Sequence, residues 1–287
     1  MAEKKKSMGF DEIMRNLKAG NFSPIYILMG NEAYYIDKIA DYIAENALAP
    51  EERDFNQEIV FGADTTATQI VDMAKGYPMM APRRVIIVKE AQVLKNLEPI
   101  EKYLANPSAT SLIVLCHKNG TIDARKKIIA KAQAVGVVFE SKKLKDYQLP
   151  SFIEGYLKTR KAAIENKAVM MIAEAVGADL SRLTSELEKI LISLPDNDRR
   201  VTPEVVEEQI GVSKDFNSFE LRDAIVNRDV YKANLIIKYF DSNPKAGSLF
   251  SILPLLFNYF QNLMLAYYAP DKRNENSVAE HLNLKSV

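Results

Sequence analysis

One cysteine and two histidines in 287 residues leave little material for covalent or metal chemistry. A lone Cys116 forbids an intramolecular disulfide and fits a reducing cytoplasm, where the chain is expected to work. So few soft ligands also argue against a structural zinc site. Charge of one sign is missing as well. The 38 basic residues balance 38 acidic ones, so no global field draws the chain to nucleic acid or to a membrane. Any such contact has to come from a local patch. Long hydrophobic runs are absent too. The nearest, Leu249 to Tyr268, is interrupted by Ser251, Pro254, Asn258, Gln261 and Asn262, so it lacks the ~18 uninterrupted apolar residues of a membrane span. A buried or subunit-facing helix is expected there, and no membrane partner. Lys4, Lys5 and Lys6 charge the N-terminus, but no apolar signal segment follows them.

What is present reads as an ordinary globular chain, 47% apolar and 26% charged, long enough for two or three domains. Short apolar runs at Pro24–Met29, Phe55–Phe61, Val85–Val88, Leu112–Cys116 and Val137–Glu140 read as five strands. Helical patterns stand before and between them at Phe10–Ala19, Glu32–Ala47, Thr66–Lys75, Leu97–Ala105 and Asp123–Ala134. Continuous β-branched runs alternating with helices predict a parallel sheet covered on both faces, ending near Glu140. After Ser141 the strands are expected to stop. Helices follow at Leu149–Arg160, Lys167–Val176, Leu180–Leu194 and Pro203–Ile210; beyond a junction at Gly211–Asn217 they follow at Phe219–Val226, Tyr231–Phe240 and from Leu249.

A strand ending in glycine before a helix is where a phosphate-binding loop belongs. That loop needs a second glycine and then Lys followed by Ser or Thr, so that amides and an ammonium cradle the phosphates. Here Gly30 leads into Asn31-Glu32-Ala33-Tyr34-Tyr35-Ile36-Asp37-Lys38, with no second glycine and two bulky tyrosines in the way. At the end of the third strand, where a nucleotidase holds magnesium on an Asp, stands Lys89-Glu90. Cys116 and His117 point to opposite faces of a strand and make a poor nucleophile and base pair. Cys116 is expected in the core and His117 towards loop or solvent, while His281 falls in a polar tail. No hydrolase or metalloprotease motif appears, so catalysis and cofactors are not expected.

Between Pro78 and Pro82, just before the third strand, lie Met79 and Met80. Proline donates no backbone hydrogen bond and pushes its predecessor out of the helical region, so these methionines are expected on a stiff surface turn. Two readings stand: the pair tucks back into the local core, or it is an apolar wedge offered to a partner.

The most patterned stretch runs from Gly177 to Ile190. Leu180, Leu183, Leu187 and Ile190 share one helix face, Asp179 caps the helix, and Glu186 and Lys189 pair on its surface. It resembles the Gly-x-Asp-Leu…Leu-x-x-Glu-Leu-Glu-Lys-Leu signature of the delta-subunit family of bacterial DNA polymerase III, with Ser185 and Ile190 replacing the usual Asn and Leu. Ile25–Glu32 and the stretches Val201–Gly211 and Phe219–Ile225 are similar to that family in the same order.

The resemblance implies an AAA+-like (RecA-like) α/β domain over 1–140 whose nucleotide site, at Gly30 and Lys38, is degenerate. It implies a helical lid over 141–210 and part of an all-α collar over 211–287, with the chain's end after Leu282-Asn283-Leu284-Lys285 looking like a truncated collar. The function it implies is to bind the sliding clamp and trap or open its ring for loading onto primed DNA during replication. Met79 and Met80, with Tyr77 and Pro78 beside them, match the family's clamp-binding element; Arg83 and Arg84 follow it, read either as solvated strand-edge residues or as a rim contact with the clamp. Partners implied are the clamp, gamma/tau and delta prime types of subunit through the collar, and primed DNA in the assembled complex. Lys142, Lys143 and Lys145 are candidate phosphate contacts. A divergent AAA+ ATPase or an unrelated helical module are the alternatives.

Overall fold

The computed structural model describes residues 8–211, 213, 215–243, 249–271 and 274–282, without the side chains of 249–251, 275, 276 and 280. The lysine run Lys4–Lys6 and the closing Asn283, Leu284 and Lys285 lie outside the described residues. The chain divides into two compact units, the first ending at Lys143 and the second beginning at Leu144.

The first unit is built on five strands: β1 (Ile25–Gly30), β2 (Gln57–Phe61), β3 (Arg84–Lys89), β4 (Ser111–Lys118) and β5 (Val137–Ser141). All neighbours pair in parallel, in the order β2-β3-β4-β1-β5. The central strands are apolar on both faces because both faces are covered. Ile25, Ile27, Ile86, Val88, Ile113 and Leu115 face α4 (Ala67–Lys75), α5 (Glu98–Tyr103) and α6 (Lys127–Val135). Tyr26, Leu28, Val85, Ile87, Val114 and Cys116 face α1 (Phe10–Lys18) and α2 (Ala33–Asn46), which contribute Ile13, Leu17, Ile36, Ile39 and Ile43. At roughly 1.5–3 kcal/mol per fully buried aliphatic side chain, these two layers hold the sheet together. This is the parallel, doubly covered sheet expected of an AAA+-like core.

Two starts differ from the sequence reading. The second strand begins at Gln57, because Arg53–Asn56 forms a helical turn, α3, whose backbone bonds run back into Pro50–Glu52 and not across the sheet. The sixth helix begins at Lys127: Asp123 is held in a preceding turn, where its carboxylate accepts from the Arg125 backbone and guanidinium.

The second unit is mainly helical: α7 (Leu149–Thr159), α8 (Asn166–Val176), α9 (Leu180–Ser193), α10 (Pro203–Ile210), α11 (Ser218–Val226), α12 (Val230–Ser242), α13 (Leu249–Ala266) and α14 (Glu275–His281). Strands do not stop after Ser141. Ala163–Ile164 (β6) and Arg200–Val201 (β7) pair in parallel, with the Ala163 amide donating to the Arg199 carbonyl at 2.9 Å. Two residues are too few for any alternation to register in the sequence. His281, expected in a polar tail, closes α14. Helix α9 is built as its pattern requires: Leu180, Leu183, Leu187 and Ile190 are fully buried. Asp179 accepts from the Arg182 amide at 3.0 Å, and Lys189 pairs with Glu186 at 2.5 Å. Around α11 and α12, Leu221, Ala224, Ile236 and Phe240 form a small separate core. Helix α13 is not buried: Leu253, Phe257, Phe260, Leu263 and Met264 are exposed along it. Among the described residues no helix is long and apolar enough to cross a membrane.

Candidate functional site

In a parallel sheet every strand begins at one edge and ends at the other, so loops of the first unit collect at two opposite rims. The carboxyl rim is where a nucleotide would be held. There, β1 ends on Gly30 at φ 131°, a conformation only glycine adopts without strain. Its missing side chain is replaced by the end of β5: a Cβ on Gly30 would overlap the Ser141 carbonyl oxygen. The Asn31 amide donates to that oxygen at 3.2 Å, and the Ser141 hydroxyl donates to the Met29 carbonyl at 3.2 Å.

The N-terminus of α2, with its unpaired amides and positive dipole end, is the natural seat of a phosphate. Glu32 takes that seat with its own carboxylate, buried at 7% exposure and accepting from the Tyr34 amide at 3.2 Å. Tyr35 packs against Phe10, and burial, with Glu32 nearby, pushes its hydroxyl up to about 12. The Lys38 ammonium lies 5.7 Å over the ring of Tyr34.

Further along the same rim Lys118 pairs with Asp37 at 2.8 Å and approaches Glu90 at 4.0 Å. Burial works against the Lys118 ammonium, yet those carboxylates outweigh it and hold its pKa above the ordinary value. Lys89 reaches Asp41 at 3.7 Å, so an internal ion-pair network stands where magnesium would need free carboxylates. Cys116 lies in the core, where burial raises its thiol to about 12, and the His117 ring contacts the Gly120 carbonyl at 3.2 Å. No group of three potential metal ligands is present among the described residues.

The amino rim is different. Between α4 and β3 the chain makes the turn Tyr77-Pro78-Met79-Met80, with Tyr77 88%, Met79 63% and Met80 102% exposed and Pro78 half-buried. The methionines do not tuck back into the core. Met80 has φ 50°, a left-handed conformation that costs a non-glycine residue free energy and persists only where its surroundings hold it.

Next to Met80 the chain is bonded by Asn56, which sequence reasoning missed. Its side chain is 1% exposed. Its Oδ1 accepts from the Met79 amide at 2.6 Å, while Nδ2 donates to the Met79 carbonyl at 3.0 Å and to the Glu52 carbonyl at 2.9 Å. An asparagine between Phe55 and Gln57 carries no signal of this, because the contact spans 23 residues.

Neither arginine after the turn is free. Arg83 stacks over Phe22 at 4.6 Å and Arg84 pairs with Glu58 beside Gly76. Lys142, Lys143 and Lys145 are exposed; Lys142 lies 3.9 Å from Glu140, and Lys145 lies over the Tyr147 ring.

Comparison with known proteins bears on this domain directly. The family model for "DNA polymerase III, delta subunit" matches residues 26–142, a span running from β1 past β5. Residues 26–142 belong to the DNA polymerase III delta-subunit family. Over nearly its whole length, the span just given included, the chain is 25% identical to the DNA polymerase III subunit delta of Bacillus subtilis over 288 aligned residues, covering 96% of this chain and 82% of the relative. A solved structure of the Bacillus subtilis DNA clamp loader delta protein superposes with a TM-score of 0.62 at 24% identity, covering 96% of this chain and 84% of that one. At that identity the superposition speaks for the fold. The family match and the Bacillus subtilis relative support a role as a DNA polymerase III subunit in DNA replication.

Proposed function

We propose that the chain is the clamp-binding subunit of its loader, and that Met79 and Met80, flanked by Tyr77 and Pro78, enter an apolar pocket on the sliding clamp. The observation that carries this reading is the turn itself: two flexible apolar side chains held outwards on a fixed backbone at the open rim of the sheet. Methionine suits such a contact, since its unbranched thioether adapts to the shape of a pocket. Fixing the backbone beforehand reduces the ordering cost of binding.

In this reading the chain performs no chemistry. It binds a ring whose subunit interface has opened better than a closed ring, and so shifts the clamp's population towards open. Energy for the cycle comes from ATP on neighbouring gamma/tau subunits. The residues over 141–210 act as a helical lid and those over 211–287 as part of a collar, in which the exposed apolar face of α13 meets gamma/tau and delta prime types of subunit. Primed DNA is met inside the assembly through phosphates, with Lys142, Lys143 and Lys145 as contacts, and the whole works in the cytoplasm. An ATP-hydrolysing role is disfavoured by Glu32 and Ser141, which fill the phosphate position from within.

Ring opening is tested by measuring affinity for the native clamp and for a clamp whose subunit interfaces are locked by disulfides. The proposal expects the unlocked ring to bind more tightly. Equal affinities would contradict the opening step, and no binding to either ring would contradict the clamp-binding role itself.

A further inference from the structure

The Asn56 side chain is spent entirely on backbone, and two of its three bonds go to a single residue, Met79, on the turn before β3. That pairing reproduces what a neighbouring strand would do, engaging both the amide and the carbonyl of one residue. It fixes the chain one residue before Met80, whose φ of 50° is unfavourable unless its neighbours are pinned. The same amide donates to the Glu52 carbonyl in the turn that leads into β2, so the outward turn is tied to the edge of the sheet at a site with 1% exposure. A buried asparagine with all its strong bonding groups satisfied is a costly feature if its neighbours have no need of a fixed shape.

We infer that Asn56 is the positioning residue of the clamp-binding turn: its amide holds Met79 and Met80 in the conformation that enters the clamp without touching the clamp itself. This rests on the reading that Tyr77–Met80 is the clamp-binding element. Asn56 then sets affinity through the shape of the free turn, and its removal leaves both methionines present but no longer presented together.

The test is a double-mutant cycle read by titration against the sliding clamp from the same source, with Asn56→Ala and Met80→Ala made singly and together in the full chain. Losing two hydrogen bonds to the turn is expected to weaken clamp binding on the order of tenfold. The same change in the Met80→Ala background is expected to cost several-fold less, since the two residues act as one unit. Hydrogen exchange at the Met79 amide is expected to quicken in Asn56→Ala.

Asn56→Asp gives a readout that a purely structural role would not move. An ionised carboxylate faces the Met79 and Glu52 carbonyls with no proton to donate, whereas a protonated one supplies an O–H to a carbonyl and still accepts from the Met79 amide. Burial favours the protonated form, so the variant's clamp affinity relative to the unmodified chain is expected to recover as pH falls. Glu52, Arg53, Asp54, Glu58 and Arg84 flank the site in both proteins, so the pH profile of the unmodified chain is the reference against which the variant is read.

Undiminished binding by Asn56→Ala, while Met80→Ala weakens it, would overturn the inference and leave the clamp-binding turn standing. Equal costs in both backgrounds would overturn it as well, as would a flat pH ratio for Asn56→Asp. Undiminished binding by Met80→Ala together with Met79→Ala would instead remove the reading on which the inference rests.

Discussion

The two rims of one sheet have opposite fates. At the carboxyl rim, the turn after β1 is folded inwards: Gly30 lies against Ser141, Glu32 fills the end of α2, and Lys118 joins Asp37 and Glu90. At the amino rim, the turn before β3 is held outwards by Asn56, with its apolar side chains in water. Both turns contain a residue at positive φ, but glycine supplies it where packing is tight and methionine where a side chain is on offer. The difference teaches how one parallel sheet can pack the turn at one edge against its own backbone and hold the turn at the other edge out into solvent.

Charge at the outward turn should give the largest effect. Met79→Asp would carry an unpaired carboxylate into an apolar pocket, at a cost of several kcal/mol. Clamp binding should fall by about a thousand-fold or more, while the urea midpoint stays put because the residue is exposed. The inward turn should answer the other way. Gly30→Ala puts a Cβ onto the Ser141 carbonyl in a conformation alanine resists, and should lower folding stability on the order of 2–4 kcal/mol in a denaturant titration. Glu32→Ala, which removes the cap of α2, should cost about 1 kcal/mol of stability and leave clamp affinity unchanged.

The smallest shift is the most diagnostic. Met80→Gly relieves the left-handed strain, so stability should change by no more than a few tenths of a kcal/mol, upwards. Clamp affinity should fall at the same time. A parallel fall in stability and binding would erase the contrast between the rims.

The sheet was legible because a parallel strand buried on both faces must be a continuous apolar run. Val85–Val88 and Leu112–Cys116 look like nothing else, and the structure buries all of them. Helix α9 was legible for a related reason: its periodicity, cap and ion pair are local features, and each is realised. The exposure of Met79 and Met80 was not decided by pattern, since the two prolines are compatible with either fate of the side chains.

What stayed hidden depends on contacts distant in sequence. Asn56 bonds across 23 residues, Ser141 closes over Gly30 from the neighbouring strand more than a hundred residues later in the chain, and β6 finds β7 with only two residues on each side. The inert phosphate position was half legible. The missing Lys-Ser or Lys-Thr pair is written in the chain, but the carboxylate and carbonyl that take the phosphate's place appear only when the chain is folded. For α13, sequence left a buried and a subunit-facing helix equally open, and the exposed Leu253, Phe257 and Phe260 remove the first.

The most direct measurement is a titration of the sliding clamp from the same source with the unmodified chain and with a Met79→Ala, Met80→Ala double variant. Two apolar side chains at roughly 1.5–3 kcal/mol each predict a loss of at least about 100-fold in affinity, with the urea midpoint unchanged. Equal affinity of the two proteins for the clamp would contradict the account, and the clamp-binding surface would have to be sought elsewhere on the chain.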